Sequence, residues 1–491
     1  MPPSTTILWF RSDLRLEDNL ALGAALATRK PILPVFIWDT EGQDIKSTGP
    51  HYCWWLKESL SILSNSLNRY GSKLIIRQGS PLSTLSNIAT EYDARHLFFN
   101  RRYEPSEIRI QRDITDKFNQ AGIDVKSFNS TLLFEPHEIL KPNGEPYERF
   151  SSFWNQALSK INETCHSSVK NPSSWTNPEN WPDSFPLSLL HPKINVTTSE
   201  YLGKMWAPGE TSATRSLQSF LQGKLQRYEV DRDRSDLCGT SQLSPHLHFG
   251  EISPRQIING VMSKSPIENG QFNMLNHKLC TELGWREFAY HILGNFPQTN
   301  KSGFNRKFDY VPWSDNIHSL TAWQTGQTGF PIIDAGMRNL ASTGWINNRM
   351  RMILSSFLVK NLLIPWQNGA SWFEKTLIDA DLASNTMGWQ WISGFGTDSV
   401  PYFRIFNPVI QSKKTDPYGV YIKRWVPEVS KLSYTNIHEP SMVEDGILRK
   451  ANIRIGVDYP LPIIDYKVSR RRSLDAYKHS TELYASNNVG S

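Results

Sequence analysis

The segment "DADLASNTMGWQWISG", residues 379–394, sets two carboxylates, one side-chain amide and two indoles close together. Asp379 and Asp381 can pair with a cation. Asn385 can donate and accept hydrogen bonds but cannot release a proton as a carboxylic acid does. Trp389 and Trp391 offer flat amphipathic faces that stack, and indoles can be oxidised. A second cluster lies in "CTELGWREFAYHIL". On a helix Glu282 and Arg286 stand at i and i+4 with Trp285 between them, so an acid, an indole and a guanidinium share one face. That face is either an ion pair beside a core tryptophan or the wall of a pocket that stacks and hydrogen-bonds a ligand. In "GWINNRMRMILSSFLVK", Asn348, Arg351 and Met352 share a helical face while Arg349 points elsewhere. The amide must be satisfied by backbone or ligand. Arg351, if buried, needs a carboxylate, which Asp379 or Asp381 could supply.

"GTSQLSPHLHFGEISPRQII", residues 239–258, gathers Thr240, Ser241 and Ser244 beside a glycine at a helix start. Such a turn either caps a helix or offers N–H and O–H donors to a phosphate. Ser253 followed by Pro254 reads as a second N-cap with proline at the first helical position. His246 and His248 have no obvious metal-ligating partners nearby and are expected to be packed or hydrogen-bonded.

These residues need elements to hold them. Up to residue 130, "TTILWF", "PILPVFI", "KLIIRQ", "HLFFN" and "DVKSF" alternate with helix-like segments such as "LALGAALATRK" and "WWLKESLSILSNSLNRYG". This βαβ pattern predicts a doubly wound parallel sheet. No GxGxxG turn follows its first strand, so the standard dinucleotide fingerprint is absent. Residues 131–215 are rich in Pro, Ser, Asn and Trp and have little periodicity beyond "YERFSSFWNQALSKI"; they are expected to form a long connector over the surface. Residues 216–480 read as helical throughout, followed by a short tail at 481–491. The fold class is therefore an α/β N-terminal domain plus an all-α C-terminal domain. Arg470, Arg471 and Arg472 read as a solvated helix face.

At 491 residues the chain is long enough for two or more domains. Its charged fraction is 20% and no apolar run approaches the roughly 18–20 residues that span a bilayer, which excludes a transmembrane reading. The N-terminus runs straight into a strand-like segment and Cys53, Cys165, Cys238 and Cys280 are widely spaced. A cytoplasmic protein without a disulfide framework or thiol-ligated metal is expected, or a nuclear or organellar one in a eukaryote. A net charge of +6 is compatible with a polyanionic partner. The 17 tryptophans equal the 17 tyrosines in number, and indoles can serve core packing or can stack on bases and be oxidised.

Taken in order, "LWFRSDLRLEDNLAL", "TSQLSPHLHFG", "WREFAYHI", "TGFPIIDAGMRNLASTGWINNRMRM", "DADLASNTMGWQW" and "YFRIFNPVIQSKKTDPYGVYIKRWVPEV" resemble the photolyase/cryptochrome family of blue-light flavoproteins across nearly the whole chain. The resemblance implies an antenna-binding α/β domain joined by a long connector to a helical domain that binds FAD. It puts Tyr228 and the turn Thr240, Ser241, Gln242, Leu243 and Ser244 at the diphosphate. Arg286 and Asn348 fall at flavin-contact positions, Arg351 at the arginine that pairs with an aspartate, and Asp379 and Asp381 near the ring and ribose. Asn385 faces flavin N5, where an amide lacks the ready proton of a carboxylic acid and so favours a reduced flavin competent to donate an electron. Plant cryptochromes typically carry aspartate there and animal ones cysteine. Trp389, Trp366 and Trp313 match the three indoles that pass electrons inward to the flavin.

The implied reaction is light-driven cleavage of cyclobutane pyrimidine dimers in UV-damaged DNA, with the dimer flipped out of the duplex. Glu282 matches the acid that hydrogen-bonds the dimer, a role like that of an oxyanion hole. Trp285 and Trp391 match the indoles around the flipped bases, with Met352 and Asn348 beside them, while Arg232, Arg349 and Arg404 match phosphate contacts. The histidine pair of the class that repairs 6-4 photoproducts has no counterpart in "INNRMRMIL". Departures lie in the antenna region, where Glu107 matches a folate-binding carboxylate but Ser106 replaces an asparagine, and Trp154 replaces a lysine near DNA. The pattern there is similar to the branch that joins plant cryptochromes and class III photolyases. A methenyltetrahydrofolate antenna is the first expectation, with a deazaflavin or no antenna as alternatives. Rival readings are a signalling cryptochrome and a DASH-type protein acting on single-stranded DNA. A receptor would often carry a long regulatory tail, for which residues 481–491 are expected to leave little room. A monomer is expected.

Overall fold

The computed structural model describes residues 4–39, 49–165, 175–190, 196–264 and 277–488. These fall into two compact units, one from residues 1–225, 241–297 and 378–383 and the other from residues 226–240, 298–377 and 384–491.

The first unit is built on five parallel strands, β1 (Thr5–Phe10), β2 (Ile32–Trp38), β3 (Ile75–Gln78), β4 (Ala94–Asn100) and β5 (Asp124–Phe128), in the order β3-β2-β1-β4-β5. Helices α1 (Leu20–Ala27), α2 (Pro50–Asn68), α3 (Pro81–Glu91) and α4 (Pro105–Gln120) alternate with them. Proline opens α2, α3 and α4, where its missing N–H costs nothing and its fixed φ suits the first turn. Every residue of β1 and β2 is buried, as parallel strands covered on both faces must be. Ile7, Trp9, Val35, Leu97 and Phe99 meet Leu85, Ile88, Ile114 and Phe118 in the core. The strand order puts β1 at the point where successive connections change direction. There the chain after β1, β2 and β4 lines a cleft with Trp9, Arg11, Trp38, Arg102, Ser106 and Glu107.

The stretch expected to run over the surface instead supplies core. Leu132, Leu133, Phe134, Ile139, Phe153, Trp154 and Ile161 are all buried. The last three lie on α5 (Phe150–Cys165), whose apolar residues recur at helical spacing and give it a face to bury. Trp154, which stands where the resemblance has a lysine near DNA, is 2% exposed and packed in this core. Further along, the Ile32 N–H donates to Thr176 O and the Phe185 N–H to Ile76 O, so this part covers the β3 edge. Residues 166–174 and 191–195 of the expected connector lie outside the described residues. The unit continues through α6 (Val196–Met205), α7 (Glu210–Gly223), α8 (Ser244–His248), α9 (Pro254–Met262) and α10 (Lys278–Asn295). Ser253 caps α9 with a full capping box: its hydroxyl accepts from Gln256 N and the Gln256 side chain accepts from Ser253 N.

The second unit is helical: α11 (Ile317–Thr325), α12 (Pro331–Thr343), α13 (Asn348–Ser356), α14 (Trp366–Thr376), most of α15 (Leu382–Ser393), α16 (Pro408–Thr415), α17 (Val420–Trp425), α18 (Asp445–Ala451) and α19 (Tyr466–Asn488). Gly326 and Gly344 end α11 and α12 in the left-handed conformation that closes a helix C-terminus. Asn347 caps α13, and α13 runs on into a π-helical turn at Phe357–Asn361. Residues 481–488, expected as tail, continue α19, and 489–491 lie outside the described residues.

Candidate functional site

The first unit carries the acid, the indole and the guanidinium on α10. Glu282 is half-buried with Lys278 one turn back at 3.4 Å. Trp285 stacks on Phe150 with ring centroids 3.8 Å apart and planes 8° from parallel. Arg286 donates to Thr131 O at 2.9 Å, lies 3.3 Å from Glu287 and covers the Tyr290 ring at 5.1 Å. The ion pairs along this helix thus join Glu282 to Lys278 and Arg286 to its chain neighbour. Glu287 accepts from the N–H groups of Leu133 and Phe134, and burial pushes its carboxyl up to about 7 against the pull of Arg286 and those N–H donors.

Asp379 and Asp381 belong to the same unit. The Tyr290 hydroxyl donates to the Asp381 carboxylate, and burial drives that phenol well above its usual range. Burial also pulls His248 below the ordinary imidazole range against Asp381 and Asp379, so its charge-neutral form prevails at pH 7. From sequence alone Tyr290 has no role, and His248 is expected to be packed or hydrogen-bonded. The signal for Tyr290 was present, since it stands four residues after Arg286 in the same quoted helix.

The turn before α8 exposes hydroxyls. Gln242 takes φ 54°, the Ser241 hydroxyl accepts from Leu243 N at 3.4 Å, Leu243 is buried and Ser244 opens the helix. Behind it His246 is hydrogen-bonded to Glu251, as expected of a packed histidine, and Glu251 also accepts from Trp55 Nε1 at 3.1 Å and from Ser59.

In the second unit, the Asn348 amide points along α13 to Met352 Sδ at 3.9 Å, so those two share a face as the spacing required. Arg349 turns away to Asp233, next to Arg232, whose guanidinium lies 5.6 Å from the ring of buried Tyr228. Arg351 is half-buried and its Nε donates to Ile346 O at 3.1 Å. Asn385 donates through Nδ2 to Ala370 O at 3.0 Å, which anchors the amide and leaves its carbonyl oxygen as an acceptor. Trp391 is half-buried, and Arg404 is exposed.

Trp389 and Trp366 are 2% and 3% exposed, both enclosed, while Trp313 is half-buried and reaches the surface. Trp389 sits edge-on to Phe373 at 5.0 Å and to Trp323 at 6.3 Å, and its indole N–H has no hydrogen-bond partner among the described residues. Its ring fills the space over Gly369, where an added Cβ would stand 2.0 Å from Cη2. Gly369→Ala is therefore expected to displace Trp389 and to destabilise the fold by about 1–3 kcal/mol, read as a lowered denaturation midpoint.

The model described as DNA photolyase matches residues 6–173, and that described as FAD binding domain of DNA photolyase matches residues 279–479. A deoxyribodipyrimidine photo-lyase of Agrobacterium fabrum is 41% identical over 96% of this chain and 97% of its own length. The chain belongs to the photolyase/cryptochrome family. Cryptochromes stand beside photo-lyases among the relatives: Cryptochrome-1 of Arabidopsis thaliana is 35% identical over 98% of this chain and 71% of its own length. In three dimensions, a bacterial class III photolyase from Agrobacterium tumefaciens superposes with a TM-score of 0.92 at 39% identity, covering 98% of each chain.

A photolyase-family chain with an FAD-binding domain needs donors for a diphosphate and polar groups for a flavin, and the residues present fit. The turn at 241–244 offers hydroxyls and N–H groups, Arg286 a guanidinium, Asp379 and Asp381 carboxylates, and Asn385 an anchored amide with an acceptor to spare.

Proposed function

We propose that this protein splits cyclobutane pyrimidine dimers in DNA in a light-driven reaction. The observation that carries the reading is the α10 face, where the half-buried acid Glu282 stands one turn from an indole already stacked flat on Phe150. An acid beside a flat aromatic surface is what a flipped-out pyrimidine pair requires, one group for its carbonyl and one for its faces. Reduced FAD, when bound and excited by light, supplies the electron that opens the cyclobutane ring. Glu282 hydrogen-bonds the dimer carbonyl on which negative charge develops. Trp285 in the first unit and Trp391, Met352 and Asn348 in the second are the residues given to the bases, and Arg232, Arg349 and Arg404 those given to phosphates.

Tyr228, the residues from Thr240 to Ser244, Arg286, Asn348, Arg351, Asp379 and Asp381 hold the cofactor. Asn385 offers it a carbonyl acceptor and no acidic proton, which supports repair over signalling. The α/β cleft takes an antenna chromophore, a methenyltetrahydrofolate in the first instance. Its carboxylate Glu107 is engaged by Arg11 and Arg102, so an antenna there meets a charge-paired wall.

The test is dimer loss. Protein with chemically reduced flavin is mixed with dimer-bearing duplex and single-stranded oligonucleotides, and dimers are counted under blue light and in darkness. Loss in light alone on duplex is expected. No light-dependent loss on either substrate would sink the proposal and leave signalling, and loss on single strands alone would mean a DASH-type specificity. Glu282→Ala is expected to lower repair per absorbed photon severalfold, the effect of one lost hydrogen bond to developing charge, with FAD absorbance unchanged. Repair at the wild-type yield would remove the role given to that acid.

A further inference from the structure

Residues 408–438 in the second unit carry five exposed cations, Lys413, Lys414, Lys423, Arg424 and Lys431. The two acids of the stretch are turned to other partners. Asp416 is buried, accepts from Ile422 N at 2.9 Å and is pushed up to about 6 by burial. Glu428 is held through both oxygens by Arg338 at 2.8 and 2.9 Å. Among these cations two large aromatic rings face water: Tyr418 is 64% exposed and Tyr434 57%, with centroids 6.4 Å apart and planes at 63°.

The backbone under the rings is fixed. Gly419, next to Tyr418, takes φ 69° and comes so close to Ile437 that an added Cβ would lie 2.7 Å from its Cγ2. The Ser412 hydroxyl bonds His438 Nδ1 at 2.6 Å and ties the end of α16 to the loop of Tyr434. Tyr421 and Ile422 are buried beneath. Two aromatic rings held open on a rigid support, among exposed cations, match the recognition of unstacked nucleic-acid bases by aromatic faces and of the backbone by basic side chains. The patch is also continuous with residues placed at DNA above. Ser235 N–H donates to Thr415 O at 2.9 Å, the Asn347 amide reaches Arg234 O at 3.4 Å and Arg349 pairs with Asp233. Segment 233–235 therefore bridges the start of α13 and the end of α16.

We propose that Tyr418 and Tyr434 form a stacking platform for unpaired DNA flanking the lesion, with the five cations following its backbone. Paired bases hide their faces in the duplex, so the platform discriminates for opened or single-stranded DNA. This inference rests on the reading that the substrate is DNA, and its test is arranged to separate the two.

The test measures binding in the dark to an undamaged oligothymidylate of about sixteen nucleotides, to a dimer-bearing oligonucleotide of about four, and to undamaged duplex. Tyr418→Ala with Tyr434→Ala is expected to weaken binding of the long single strand about tenfold or more while leaving the short dimer oligonucleotide and the duplex unchanged. Tyr418→Phe with Tyr434→Phe keeps the ring faces and should bind as wild type, which separates stacking from any fault in folding. Lys413→Gln with Lys414→Gln should reduce the slope of log affinity against log salt by about 1.4, roughly 0.7 for each phosphate contact. Unchanged affinity for the long strand in the alanine variant would overturn the platform, as would an equal loss on all three DNAs. Dimer repair is not read in these measurements. Failure of wild-type protein to remove dimers in light would count against the repair reading alone.

Discussion

Trp389→Phe is expected to bring light-driven reduction of the oxidised flavin to near the level of a dark control, while protein whose flavin is reduced chemically still removes dimers. Both expectations follow from placing Trp389 innermost in a chain with Trp366 and Trp313. A benzene ring is much harder to oxidise than an indole, so phenylalanine fills most of the space but cannot carry the oxidising equivalent outward. Burial supports Trp313 as the outer end, with Trp389 and Trp366 enclosed and Trp313 reaching solvent, where an external reductant can refill it. The substitution should be tolerated. Trp389 lies against Phe373 and Trp323 and over Gly369, and losing part of the indole there costs about 1–2 kcal/mol. Retained FAD absorbance would show that the fold persists. Flavin absorbance followed under blue light with an added thiol gives the first result, and dimer counting after dithionite reduction the second. Photoreduction at the wild-type rate would remove Trp389 from the chain, and loss of repair by the chemically reduced protein would make it more than a relay.

How far these features could be read from the chain depends on the distance over which each is specified. All five strands stand where the apolar runs put them, because parallel strands buried on both faces announce themselves locally. The N-cap at Ser253 and the shared face of Asn348 and Met352 were equally local. The role of 131–161 was not. Its prolines and asparagines suggested a surface path, yet Leu132, Leu133 and Phe134 are buried, with two of their backbone N–H groups satisfied by Glu287 far along the chain. Partners so distant leave no spacing to detect. The same holds at the site. Glu282, Trp285 and Arg286 could be grouped by helical period, whereas the anchoring of Asn385 by Ala370 and the Tyr290 bond to Asp381 join residues on separate elements. Family resemblance put names to Trp313, Trp366 and Trp389, but nothing in their spacing ordered them from interior to surface.

Lys360 was another residue without a local signal, and it carries the second large effect. It lies in the π-helical turn after α13, fully buried, its Nζ donating to Arg404 O at 3.1 Å and standing 5.2 Å over the Tyr402 ring. Burial lowers its ammonium from the usual 10.5 to about 7. In the unfolded chain the same lysine keeps its proton up to about 10.5, so between those values the unfolded state binds more protons and stability must rise with pH. Below about 7 both states are charged and the native state bears the full penalty, on the order of 5 kcal/mol for a shift of this size. Lys360→Met keeps the volume and removes the titrating group, at a loss of about 1 kcal/mol for the carbonyl left without its donor. The variant is therefore expected to be more stable than wild type at pH 7, by about 2–3 kcal/mol, and to lose that advantage toward pH 10. Denaturant unfolding at the two pH values reads both terms. Parallel stability changes in the two proteins between pH 7 and 10 would show that Lys360 stays charged in the fold. The variant would then mainly report the loss of the bond that holds the Arg404 carbonyl.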